Sequence, residues 1–246
     1  MKKLSTIFLF VGVLLSVPVF QSCDDDDDDD YVYFPNALVT VKTAADNTTY
    51  LQLDDNTTLL PTNLKSSLYG GKEVRALVNY KPTDEDSAPY DFAVYVNWID
   101  SILTKNTVLS AGSQNDSVYG SDAVEIVRDW VTIAEDGYLT LRFRTIWGNT
   151  GTTHRINLVR GVNSENPYEL ELRHDANGDT IGRWGDALVA FNLKDLPDTE
   201  GKTVKLKIRW NSFSGEKTTE FDYCTRQQTE SSDLLGDDTD FTHHLE

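Results

Sequence analysis

The strongest constraint on the fold is a hydrophobic alternation of period two that recurs along the chain. Val204, Leu206, Ile208 and Trp210 alternate with Lys205, Lys207 and Arg209. Leu139, Leu141, Phe143, Thr145 and Trp147 alternate with Arg142 and Arg144, and Tyr168, Leu170 and Leu172 with Glu169, Glu171 and Arg173. Successive side chains of a strand point to opposite faces, so each stretch has one apolar face for a core and one polar face. Asp122 to Ile133, Thr153 to Arg160, Ala187 to Leu193 and Thr218 to Tyr223 bring the set to about seven strands, which predicts an antiparallel β-sandwich over residues 122–224.

The N-terminal half carries shorter strands. Tyr31 to Thr43 reads as a strand pair or one bent strand, broken at Pro35 and Asn36. Thr48 to Leu53 and Thr57 to Leu60 flank Asp54, Asp55 and Asn56, which supply turn chemistry for a hairpin. Behind Gly70 and Gly71, Val74, Ala76, Val78 and Tyr80 share one face, with Glu73, Arg75, Leu77 and Asn79 on the other. Phe92, Val94, Val96 and Trp98 repeat the pattern. Five short strands in this span predict a small Greek-key barrel of the OB type over residues 31–109. The polar stretch 110–121 is expected to be the linker, and 225–246 a disordered acidic tail. The expected class is all-β, with no helical period beyond a turn near Asn63 to Tyr69.

Ahead of the strands lies a leader. Lys2 and Lys3 precede an apolar run from Ile7 to Phe20, and Cys23 follows Ser22. This is secretory signal grammar, in a run too short to span a bilayer comfortably. Residues 1–22 resemble the leader of a bacterial lipoprotein, with Cys23 as the lipidated residue and the membrane engaged through its lipid. Asp24 to Asp30 cannot pack, because adjacent like charges repel, so residues 23–30 form an anchored, solvated spacer. An early acidic run resembles the segment that routes Bacteroidetes lipoproteins to the outer face of the outer membrane, so surface display is favoured over the periplasmic face. The formal net charge of −18 opposes nucleic acid and anionic lipid as partners. With Cys23 acylated, Cys224 has no cysteine left to pair with.

Candidate sites are sparse. Asp175, Asn177, Asp179 and Asp186 have the oxygen-ligand spacing of a calcium loop, yet Thr180 stands where such a loop needs glycine, and Ala176 to Asp179 suit a simple turn. His154 lies in phase with Ile156 and Leu158, and His174 with Leu172, as expected of partly buried histidines or the start of a zinc or copper site. No serine or cysteine has a local activating context and no Gly-rich phosphate loop is present, so neither an enzyme nor a cofactor is expected. Trp98, Trp147 and Trp210 fall on apolar faces and are expected in cores. Trp184, between Gly182 and Gly185, is the candidate for a ligand groove, whereas Trp130 has no clear phase. Ser87 and Ser117 lie in Asp-Ser-apolar tripeptides that resemble Bacteroidetes O-glycosylation acceptors.

The leader and early aspartates, together with Leu51-Gln52-Leu53-Asp54-Asp55-Asn56-Thr57-Thr58-Leu59, Arg75-Ala76-Leu77-Val78-Asn79-Tyr80, His154-Arg155-Ile156-Asn157-Leu158-Val159 and Leu172-Arg173-His174-Asp175-Ala176-Asn177, resemble the NigD-like lipoproteins of Bacteroidetes. The resemblance runs to about Tyr223. It implies an OB-like domain followed by a β-sandwich, and a bacteriocin-immunity role with a protein or peptide partner. A surface glycan-binding accessory protein is the alternative, with a calcium-binding or enzymatic role third.

Overall fold

The computed structural model describes residues 36–64, 68–148 and 151–226, which fall within one compact unit. Cys23, the aspartate run and the tail beyond Arg226 lie outside the described residues. Among those described, no helix is long and apolar enough to cross a membrane.

Strands β1 (Asn36–Thr43), β2 (Thr49–Gln52), β3 (Thr58–Pro61), β4 (Val74–Pro82) and β5 (Phe92–Ser101) close into a barrel in the order β1-β2-β3-β5-β4, the OB connectivity expected. Val39, Val41, Leu51, Leu59, Ala76, Val78, Val94 and Val96 fill it. Trp98 is not among them. At a bulge, Tyr80 faces Val96 while Asn79 faces Trp98, leaving Asn97 unopposed. One extra residue reverses the side-chain phase. Trp98 is therefore 42% exposed, and the expectation of a core tryptophan there is corrected.

The chain leaves the barrel at Ile102 and enters the sandwich at once through β6 (Leu103–Asn106) and β7 (Val108–Leu109). Residues 110–121, expected as a linker, instead hold a 3-10 turn (Gly112–Gln114) and the short helix α1 (Asn115–Tyr119), inside the second domain. The Asn115 side chain accepts from the Ala111 N–H at 2.8 Å, and Arg173 reaches Asp116 at 2.5 Å. A short strand whose residues are mostly polar, as in Leu103 to Asn106, carries no apolar alternation to reveal it.

The remaining strands are β8 (Glu125–Val127), β9 (Ile133–Glu135), β10 (Tyr138–Trp147), β11 (Arg155–Arg160), β12 (Glu169–Asp175), β13 (Arg183–Asn192), β14 (Val204–Ser212) and β15 (Gly215–Tyr223). One sheet runs β6-β13-β10-β8, with β9 also on β10, and the other runs β15-β14-β12-β11-β7. Pairing is mostly antiparallel, with parallel pairs at β6–β13, β7–β11 and β12–β14. Leu139, Leu141, Phe143, Leu158, Leu170, Leu172, Phe191, Leu206 and Ile208 form the core between the sheets. The β9–β10 hairpin turns through Asp136 (φ 48°) and Gly137 (φ 74°), the left-handed pair that an Asp-Gly hairpin uses.

Barrel and sandwich share a third apolar cluster of Leu38, Ile102, Val131 and Ala190. The outer face of β1 is thus covered too, and Leu38, Thr40 and Lys42 are buried along with Val39 and Val41. Charged groups sit inside this interface. Arg75 is 0% exposed and donates to Thr40 Oγ1 at 3.0 Å, Thr140 Oγ1 at 3.3 Å and Glu135 Oε2 at 3.4 Å. Lys42 donates to Asp136 at 2.9 Å, and Arg226 reaches Glu73 at 2.9 Å and Asp136 at 3.3 Å. Thr225 and Arg226, expected at the start of a free tail, are fastened to the fold, Thr225 through hydrogen bonds with Thr199 of 2.9 and 3.0 Å.

Candidate functional site

The outer face of the sheet containing β13 and β10 is half covered and half open. Antiparallel pairing sets Trp184 opposite Ile146, Asp186 opposite Arg144, Leu188 opposite Arg142, and Ala190 opposite Thr140. The barrel covers the Thr140 end, and the Trp184 end is free. Trp184 is 56% exposed, and its ring meets that of Phe213, from the β14–β15 turn, edge-on at 4.6 Å.

Between the tryptophan and the barrel runs a charged ladder. Asp186 accepts from Arg144 at 2.5 and 3.0 Å and from Arg142 at 2.8 Å, and Arg142 also donates to Asp129 at 2.8 Å. The Arg144 hydrogen bonds, reinforced by Arg142, bring the Asp186 carboxyl down to about 2. Beside the ladder a groove of about 220 Å³ is lined by Leu77, Asp129, Trp130, Val131, Arg142 and Leu188, with Trp130 exposed over it. The face therefore joins exposed indole rings to fixed, paired charges.

The two in-phase histidines meet each other. His154 Nδ1 lies 3.0 Å from His174 Nε2, His174 Nδ1 lies 3.2 Å from the Ala123 carbonyl, and His154 Nε2 lies 3.2 Å from Asp179 Oδ2. His174 Nδ1 donates to the carbonyl, so its Nε2 accepts from His154. The last nitrogen, His154 Nε2, faces the Asp179 carboxylate. Both rings are buried, and Trp147 stacks on His154 at a centroid distance of 4.1 Å. Burial first, and the neighbouring His154 second, hold His174 below the usual histidine range. Every ring nitrogen faces a protein partner, so the pair is a buried, internally hydrogen-bonded core feature.

The calcium-loop residues are dispersed. Asp179 serves His154 and the Gly148 N–H at 3.0 Å, Asp186 serves the arginines, and Asp175 accepts from the Asn177 N–H at 2.8 Å. Asn177 and Gly178 form the turn closed by Asp179 N to Ala176 O at 2.9 Å. Among the described residues no cluster of three or more His, Cys, Asp or Glu is placed to hold a metal ion. Trp147 and Trp210 lie on the core side, Trp210 6% exposed. Ser87 sits in the β4–β5 loop, whereas Ser117 is exposed on α1 with its hydroxyl bonded to Gln114 O at 2.9 Å.

These features define a two-domain β protein, an OB barrel packed against a β-sandwich. The NigD-like N-terminal OB domain matches residues 38–102 and the NigD-like C-terminal β-sandwich domain matches residues 106–223; the chain belongs to the NigD-like family. A protein of Parabacteroides distasonis described as toxin-related is 36% identical, with a TM-score of 0.67 over 78% of this chain and 94% of that one. A NigD-like immunity protein of Bacteroides caccae is 21% identical, with a TM-score of 0.56 over 79% of this chain and 99% of that one. A Bacteroides fragilis protein described as a lipoprotein is 15% identical with a TM-score of 0.56, over 79% of this chain and 100% of that one. The last two share the fold. No curated protein matches the chain.

Proposed function

We propose that the protein is a non-catalytic lipoprotein, anchored to the outer membrane through Cys23, that binds a protein or peptide and protects the cell against a bacteriocin. The observation that carries the binding role is the open half of the β13–β10 face. Trp184, Phe213 and Trp130 are exposed there beside Arg142 and Arg144. Exposed aromatic rings next to arginines are the composition of interaction hot spots, and a solvated cluster of large rings is unfavourable unless a partner uses it. The immunity designation of the B. caccae relative supports the biological role. Deleting the gene should sensitise the strain to the partnered toxin, with rescue by the wild type and not by Trp184→Ala. Unchanged sensitivity across candidate toxins would sink the immunity reading.

The same rings support a second reading, a surface glycan-binding accessory protein, because indoles flanked by paired polar groups also stack on sugars. A glycan array separates the two: a signal lost in Trp184→Ala favours the sugar, and a silent array favours the protein partner.

A further inference from the structure

A second concave surface lies on the barrel, away from the tryptophan face. The loop between β1 and β2 and the loop between β4 and β5 stand over the β3 end of the barrel. Together they border a groove of about 460 Å³ lined by Asp46, Thr49, Leu60, Pro61, Glu85 and Asp86, among others. These two loops and the strands between them are where OB barrels receive elongated ligands.

Its chemistry is divided by depth. Pro61 is buried and Leu60 and Leu64 half-buried, giving an apolar floor, while Asp46, Glu85 and Asp86 are exposed at the rim. No lysine or arginine lines the groove among the described residues. Asp46 accepts from the Thr48 N–H at 2.9 Å and Asp86 from the Ala88 N–H at 3.1 Å, each through one oxygen, which fixes the carboxylates in place. The Thr48 N–H holds Asp46 below the usual carboxylate range. Thr49, which also borders the groove, is 1% exposed and shares its face of β2 with Leu51 of the barrel core, so it belongs to the wall and not to the rim.

We propose that this groove binds an extended, basic peptide segment. A lysine or arginine side chain has an apolar stem and a cationic head, so it can lay methylenes on Leu60, Pro61 and Leu64 while its charge meets Glu85 and Asp86. A polyanion is repelled by the same rim, and the volume lies in the range of organic ligand sites, far above what an ion fills. The inference rests on the reading of the protein as a peptide or protein binder and adds the charge class of the partner at a separate site.

The test is fluorescence anisotropy with labelled oligolysine and oligoglutamate on the full chain. Oligolysine should bind, more weakly as salt rises, and oligoglutamate should not. Glu85→Gln with Asp86→Asn should weaken oligolysine about threefold to tenfold. Both substitutions keep the shape, and the asparagine oxygen can still accept from Ala88. Glu220→Gln with Asp222→Asn on β15 removes the same charge elsewhere and should leave affinity unchanged.

Equal loss in the β15 double variant would show attraction to the net charge alone and overturn the proposal, as would no oligolysine binding or calcium binding in its place. Trp184→Ala should leave oligolysine binding intact. Loss of immunity in Trp184→Ala but not in the groove variants, together with absent oligolysine binding, would overturn this inference and leave the proposed function standing.

Discussion

Removing the Arg75 side chain tests whether charge inside the interface holds barrel and sandwich together. Arg75 lies on the outer side of β4, opposite Thr40 in the register, and its guanidinium reaches β1, β9 and β10 at once. Burial pushes its pKa down, the Glu135 carboxylate opposes that shift, and burial raises Glu135 in turn. In Arg75→Ala, Thr40 and Thr140 lose a charged donor, and Glu135, with 20% of its side chain exposed, loses its cation. Hydrogen bonds to charged groups are worth about 1.5–3 kcal/mol each, and stripping one partner from a buried ion pair costs about 3–5 kcal/mol. The partial exposure of Glu135 screens part of this, so about 4 kcal/mol is expected overall. For a chain of this size that corresponds to a melting point lower by about 8–16 °C. Urea denaturation followed by tryptophan fluorescence gives the free energy, and calorimetry the midpoint. Arg75→Met with Glu135→Gln keeps the volume and removes both charges, so most of the loss should return. An Arg75→Ala penalty under about 1 kcal/mol would refute the reasoning, since the interface would then be held by its apolar cluster and not by the arginine.

Three other perturbations follow from the geometry. The folded-state pKa of His174 is depressed, so between its unfolded value of about 6.5 and the lower folded value the unfolded chain binds a proton that the folded chain does not. Stability should fall with falling pH across that window, by up to about 1.4 kcal/mol per pH unit, and His174→Leu should flatten the slope in urea titrations. An unchanged slope would overturn the assignment to His174. In Gly185→Ala a Cβ would sit 2.5 Å from the Trp147 ring, so the ring must leave its stack on His154; about 1–3 kcal/mol of stability and a shift in tryptophan emission are expected. Cys23→Ser should leave the melting temperature unchanged and move the protein from the membrane to the soluble fraction with loss of protection. Full protection by the untethered form would count against anchoring as part of the function.

Alternation along a strand reports which side chains face their own sheet's core and says nothing of what lies on the other side. On β10 this rule placed Leu141 and Phe143 inward and Arg142 and Arg144 outward, and both placements hold. On the same strand Tyr138 and Thr140 are also buried, because the barrel lies over them. Arg75 on β4 has the same outward pattern as Arg142, yet one is sealed at 0% exposure and the other carries a solvated ladder. The distinction resides in the neighbouring and covering strands: Thr40 of β1 and Thr140 of β10 supply acceptors to Arg75 from elements distant in sequence. Nothing local to Arg75 announces them. The bulge at Asn97 is equally silent, and with it the exposure of Trp98.

Where sequence reasoning did reach a surface, glycine carried the signal. Gly185 makes room for the Trp147 ring, and Gly182 for the β10 backbone at Trp147, where a Cβ would stand 2.1 Å from its carbonyl oxygen. Trp184 itself takes the outward phase of Asp186 and Leu188, opposite Ile146, which leaves it 56% exposed. The glycines make room for β10 beside it, and little of the Trp184 ring is buried, so a Trp184→Ala variant should keep the fold and report on binding.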